Sequence, residues 1–154
     1  MGVITPTFDI RHRIGVKAGP GEVYARLATP DGLRQWWTQD VRGHAAVGDK
    51  LSFHFGGPDR FVVMEVTELA PDTRVAWRCV EGPDEWLGTD FTFDLSRDGD
   101  ETVVLFTNSG WREPVEFMHH CTTKWGSFLV GLKQDVETGA GRPFPNDVKT
   151  SNWD

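Results

Sequence analysis

The sequence has little of what would mark it for a membrane, a nucleic acid or a catalytic metal. No apolar run approaches the roughly 20 residues that a transmembrane helix needs. Met1 to Ile14 lacks the continuous apolar core of a leader peptide, and Pro6 stands where a myristoylation motif wants Ser or Thr. Lys and Arg total 16 against 23 Asp and Glu, a net charge of −7 with no basic cluster, which argues against a phosphate-bearing partner. Two cysteines, Cys79 and Cys121, have no metal-ligand spacing and read as buried thiols in a reducing compartment. His119, His120 and Cys121 are consecutive, and neighbours on a helix point about 100° apart, so they cannot converge on one ion. There is no Gly-x-Ser-x-Gly, His-Glu-x-x-His or Cys-x-x-Cys. Gly139-Ala140-Gly141 follows a helix instead of opening one, which is wrong for phosphate binding. The absences predict a cytoplasmic protein with no nucleic-acid partner, no stable membrane insertion, no metal and no cofactor.

What is abundant is aromatic. Seven Trp and 10 Phe stand against one Tyr, and part of that is simply core. A roomy apolar pocket would use them. The length fits one domain, residues 1–154, with 142–154 polar and proline-containing, a peripheral tail.

The stretch that organises the chain runs from Glu113 to about Gly139. Pro114 suits a first helical turn, and Glu113 and Glu116 favour the positive end of the helix dipole. At 100° per residue, Met118, Cys121, Trp125, Leu129 and Leu132 fall on one face, with Glu116, His120, Gln134 and Glu137 elsewhere. Gly139 supplies a stop. Before it, Thr7 to Val16 reads as a strand, and two short helices follow, Glu22–Ala28 and Gly32–Trp37, divided by Thr29-Pro30-Asp31. Period-two segments then follow around Leu51–Phe55, Phe61–Leu69, Arg74–Val80, Leu87–Leu95 and Thr102–Asn108, joined by Gly, Pro and Asp turns. Short connections imply an antiparallel sheet of about six strands, curled round the long helix.

Four stretches resemble a known family. Gly19 to Trp37 (GPGEVYARLATPDGLRQWW) looks like its helix pair, and Val66 to Trp77 (VTELAPDTRVAW) like its proline hairpin. Thr102 to Trp111 (TVVLFTNSGW) is similar to its last strand, and Trp125 to Pro143 (WGSFLVGLKQDVETGAGRP) to its terminal helix. The family is the START-like (SRPBCC) superfamily, in the branch of homologues of the activator of heat shock protein 90 ATPase. The resemblance implies an α+β helix-grip fold, also called birch-pollen-allergen-like, whose curved sheet leaves a hydrophobic cavity under the helix. It transfers a pocket and not a reaction. Where related branches often carry a histidine near the end of the last strand, this chain has Asn108.

Alternation and the implied cavity together select the candidate lining. Phe53, Phe55, Met64, Trp77, Phe91, Phe93 and Phe106 come from strands, and Trp37, Met118, Cys121 and Trp125 from helices. Trp86 sits in a loop placed to close the mouth, and Asn108 would offer one amide to a ligand's polar head. Asp90 and Asp94 fall on the solvent side, and His12 and His54 have no acidic partner visible in the sequence. The leading function is binding of a hydrophobic or aromatic small molecule or a lipid. The alternatives are a polyketide cyclase- or aromatase-like enzyme and a co-chaperone-like module, with a chaperone or a second copy of the chain as partner.

Overall fold

The computed structural model describes residues 6–154. Residues 1–5, part of the stretch read above as no leader, lie outside the described residues. In order come β1 (Phe8–Val16), α1 (Pro20–Ala28), α2 (Pro30–Leu33), β2 (Asp40–Gly43), β3 (Lys50–His54), β4 (Phe61–Ala70), β5 (Arg74–Glu81), β6 (Asp90–Asp98), β7 (Glu101–Trp111) and α3 (Glu116–Thr138). The strands form one antiparallel sheet in the order β1-β7-β6-β5-β4-β3-β2, so the first two strands lie on opposite edges and α1 and α2 span the distance between them. With α3 against the sheet, this is the helix-grip fold.

Among the described residues the sheet has seven strands, against the expected count of about six. The missed strand, β2, has four residues, of which Val41 alone is buried, so it carries no period. The helix pair divides where expected, but the cap is Thr29, whose side chain accepts from the Gly32 amide, and α2 proper ends at Leu33. Chain contact there is close: a Cβ at Gly32 would overlap the Ala25 carbonyl and stand 2.5 Å from Arg26 Cα. Gly32→Ala should therefore cost about 1–3 kcal/mol by overpacking. A urea titration checks it, and a change below about 0.5 kcal/mol would show that the two helices separate freely.

The long helix starts at Glu116, three residues later than its sequence implies. β7 runs on to Trp111, and Arg112 donates to the Leu87 and Asp84 carbonyls, so the chain bends at Arg112 and Glu113 and leaves Glu113 and Pro114 outside the helix. Its end is as expected, with Gly139 left-handed at φ 75° and its amide donating to the Asp135 carbonyl. Twenty-three residues make a rod of roughly 35 Å. β6 begins at Asp90, leaving Leu87 to Thr89 in the preceding loop. On the outer face Arg74 pairs with Asp94 at 2.6 Å and Arg78 with Asp90 at 3.0 Å, so that side faces solvent and is laced by ions.

The segment after α3 is not peripheral. The Phe144 amide donates to the Trp37 carbonyl at 2.9 Å, and the Gln39 amide to the Phe144 carbonyl at 3.1 Å. The Phe144 ring meets Phe55 edge-on at 5.6 Å. From that anchor the chain returns across the first half of α3.

Candidate functional site

Between the first half of α3, the loop before β6 and the returning segment lies a cavity of about 180 Å³. Trp37 reaches it from the turn after α2, Phe55 from the end of β3, Trp86 from the loop, and Cys121 and Trp125 from α3. A wider cleft of about 560 Å³ shares Phe55, Arg60, Trp86 and Phe117 with it and runs outward past Phe61 and Pro83. The cavity's apolar end thus communicates with the surface.

Five expected lining residues, Trp37, Phe55, Trp86, Cys121 and Trp125, meet here. The others do not line it. Phe53, Trp77, Phe91, Phe93 and Phe106 are fully buried and packed ring on ring, with centroids 5.6 Å apart for Phe53–Trp77, 5.1 Å for Trp77–Phe93 and 5.2 Å for Phe93–Phe106. These rings line no open pocket, because Trp125 fills the space between sheet and helix, 4.5 Å from Phe106. Met64 is wholly buried on β4, and Met118 is half-buried against the core. Asn108 offers a ligand nothing. Its amide nitrogen donates to Thr89 Oγ1 and to the Asp90 carbonyl, both at 3.1 Å, and its oxygen accepts from Trp111 Nε1 at 2.6 Å.

Sequence reasoning missed the cavity's polar end. Lys124 and His120 reach it, and Asp147, Lys149, Trp153 and Asp154 come from the segment taken for a tail. His120, placed on the solvent face by periodicity, is covered: Ser151 Oγ lies 3.2 Å from Nδ1 and the Trp153 ring stands edge-on at 5.6 Å. Two large rings, Phe144 and Trp153, in so polar a stretch were the available signal. His12, without an acidic partner, bonds Thr122 Oγ1 at 3.0 Å.

Lys124 is the electrostatic centre. Its ammonium donates to Asp147 Oδ2 at 2.6 Å, the Val148 carbonyl at 3.0 Å and Asp154 Oδ2 at 3.1 Å. Burial pushes the Asp147 carboxyl up, but hydrogen bonds from Lys124 and Lys149 outweigh it and hold the group below the usual carboxylate range. Asp154 is also held low: burial raises it, while the Thr150 amide and Lys124 lower it further. Carboxyls depressed by folding contribute stability that is complete above their unfolded pKa and is lost as pH falls through the lower folded value. The segment should stay seated at neutral pH and loosen below about pH 4. NMR of the Thr150 and Asp154 amides against pH checks this, and a transition near pH 6 would assign control to a histidine instead.

At the apolar end, burial pushes the Cys121 thiol up to about 12, so it stays protonated at neutral pH. Beside it the Trp86 indole N–H has no partner of hydrogen-bond geometry among the described residues. The arrangement can hold an apolar body and present one buried cation to it.

The family model described as Activator of Hsp90 ATPase homolog 1-like protein matches residues 17–137. Among solved structures, the solution structure of the Aha1 dimer from Colwellia psychrerythraea is 42% identical, with TM-score 0.80, covering 87% of this chain and 99% of its own. CalU16 from Micromonospora echinospora is 18% identical, with TM-score 0.67, over 90% of this chain and 77% of its own. DynU16, a protein of the dynemicin biosynthetic locus, is 24% identical with TM-score 0.68, over 86% of this chain and 48% of its own. These last two share the fold. No curated protein matches the chain.

Proposed function

Because this chain belongs to the activator of Hsp90 ATPase homolog 1-like family, we propose that residues 1–154 act as one domain that binds a hydrophobic or aromatic small molecule inside the helix grip. The observation that carries the reading is the ring-walled cavity of about 180 Å³, open to a larger cleft. A dry apolar cavity of about 150 Å³ takes a benzene ring, so the closed form suits one or two rings. A lipid chain would have to extend into the cleft. Burying roughly 200 Å² of apolar ligand surface gives about 5 kcal/mol before the costs of association, which places affinities at about 0.2 mM or weaker.

The neutral fluorophore N-phenyl-1-naphthylamine tests it. Its emission should shift to the blue, tryptophan emission should fall, and the melting temperature should rise. Cys121→Phe, which adds a ring from the cavity wall, should weaken binding about tenfold or more. If a panel of one- to three-ring aromatics and fatty acids changes neither emission nor melting temperature, the pocket reading fails.

A second copy is the partner favoured by a specific observation, since the 42% identical relative is described as a dimer. Sedimentation equilibrium decides it. A chaperone partner follows from the family's description alone. No helix among the described residues is long and apolar enough to cross a membrane, and a cytoplasmic location stays part of the proposal.

A further inference from the structure

The segment after α3 supplies every acceptor that Lys124 uses. An ammonium has three N–H donors, and here they go to Asp147, Val148 and Asp154, with none returned to the body of the fold. The side chains concerned are well covered, with Lys124 15% exposed and Asp147 and Asp154 5% and 6%. A cation at such a site needs an anion beside it, because an unpaired buried charge is costly. Residues 143–148 are fixed to the body by the Phe144 backbone and ring. Residues 150–154 are held differently. Most of their hydrogen bonds close on themselves: Thr150 N and Oγ1 donate to Asp154 at 2.5 and 3.0 Å, and the Asp154 amide to the Ser151 carbonyl at 3.2 Å. Their polar ties to the body run through Lys124 and His120. The unit can swing away without breaking any strand or helix.

What this unit places at the cavity is chemically specific. Trp153 lines it with an indole that is still 45% exposed, and Asp154 lays a carboxylate on the cation beside it. A ring next to a carboxylate is what a small aromatic acid carries. We infer that Trp153 and Asp154 form a built-in plug on a carboxylate subsite centred on Lys124, and that the ligand is an apolar or aromatic molecule with a carboxylate head that displaces them. The inference rests on the cavity being a binding site.

Charge supports the exchange. With Asp154 gone, Lys124 and Lys149 face the Asp147 carboxylate alone, so an incoming carboxylate restores the balance. A neutral head leaves one N–H of Lys124 without its charged acceptor. Asp147 is the carboxylate that stays, because Lys149 also holds it, at 2.9 Å. The acid group belongs at this end and not beside Cys121, where the Glu85 charge acts.

The test compares 1-naphthylacetate with its neutral amide by titration calorimetry on the full chain. Wild type should prefer the acid. Trp153→Ala and Asp154→Asn, which weaken the plug, should each tighten the acid about tenfold, and Asp154→Asn should help the amide less. Lys124→Met should abolish the preference. Melting curves show which variants remain folded, and either plug variant suffices for the comparison. Saturating acid, unlike amide, should also release the Thr150 to Asp154 amide signals toward free-chain values. Equal affinity for acid and amide, or an acid affinity unmoved by both plug variants, overturns the plug while leaving the cavity reading intact. Failure of acid, amide and N-phenyl-1-naphthylamine alike to bind overturns the cavity reading itself.

Discussion

Replacing Trp125 with alanine is expected to lower the unfolding free energy by about 3–5 kcal/mol, the range for deleting a large buried aromatic. The ring is 2% exposed and lies within 6.5 Å, centroid to centroid, of Trp37, Trp86, Phe91, Phe93 and Phe106. It is the side chain through which α3 is keyed into the sheet. Phe91, Phe93 and Phe106 sit on hydrogen-bonded strands and cannot close the gap, so the cavity term adds to the lost transfer energy. Native domains have only about 5–15 kcal/mol to lose, so the variant should sit close to its folding limit. Gln134→Ala, on the exposed face of the same helix, should stay within about 0.5 kcal/mol of neutral. Urea midpoints at an unchanged slope provide the measurement. Similar losses for the two variants would mean that α3 docks by another face.

Asn108→Ala should cost about 2–4 kcal/mol, for a different reason. The residue is fully buried and links three others: Trp111 donates to its oxygen, its nitrogen donates to Thr89, and the Thr89 hydroxyl donates to the Trp86 carbonyl at 2.8 Å. Alanine leaves the buried Trp111 N–H without an acceptor, and an orphaned donor costs more than the hydrogen bond contributed. Selectivity between acid-headed and purely apolar probes should not change, since the amide never faces the cavity. A stable Asn108→Ala protein with altered selectivity would return this residue to the ligand site.

The contrast between these two positions shows what the sequence made legible. Periodicity placed Trp125 on the buried face and Gly139 at the helix stop, because both follow from local geometry. It placed Phe53, Phe91, Phe93 and Phe106 on the inner face but could not say whether the space there was filled. Alternation gives a direction, while the distance between sheet and helix depends on how all the rings interlock. β2 was invisible because a four-residue edge strand with one buried side chain has no period. The plug was invisible for a reason of distance. Lys124 meets carboxylates 23 and 30 residues further on, and nothing in a polar stretch announces its partner.

The order of strands in the sheet also sets an order in time. β1 pairs with β7, Phe8 opposite Trp111 and Val16 opposite Thr102, so closing that edge joins residues about a hundred positions apart. The hairpins of β3 to β7 need only short turns and can zip locally, whereas contacts of long sequence separation incur their chain entropy before they return any stability. A chain emerging from its amino end must therefore hold β1 unpaired until almost everything up to α3 has been made. Through that interval Ile10 and Val16, both buried in the finished protein, have no sheet to join. Their alternation with Arg11 and Arg13 keeps the waiting strand charged along one face, which disfavours its pairing with a stranger.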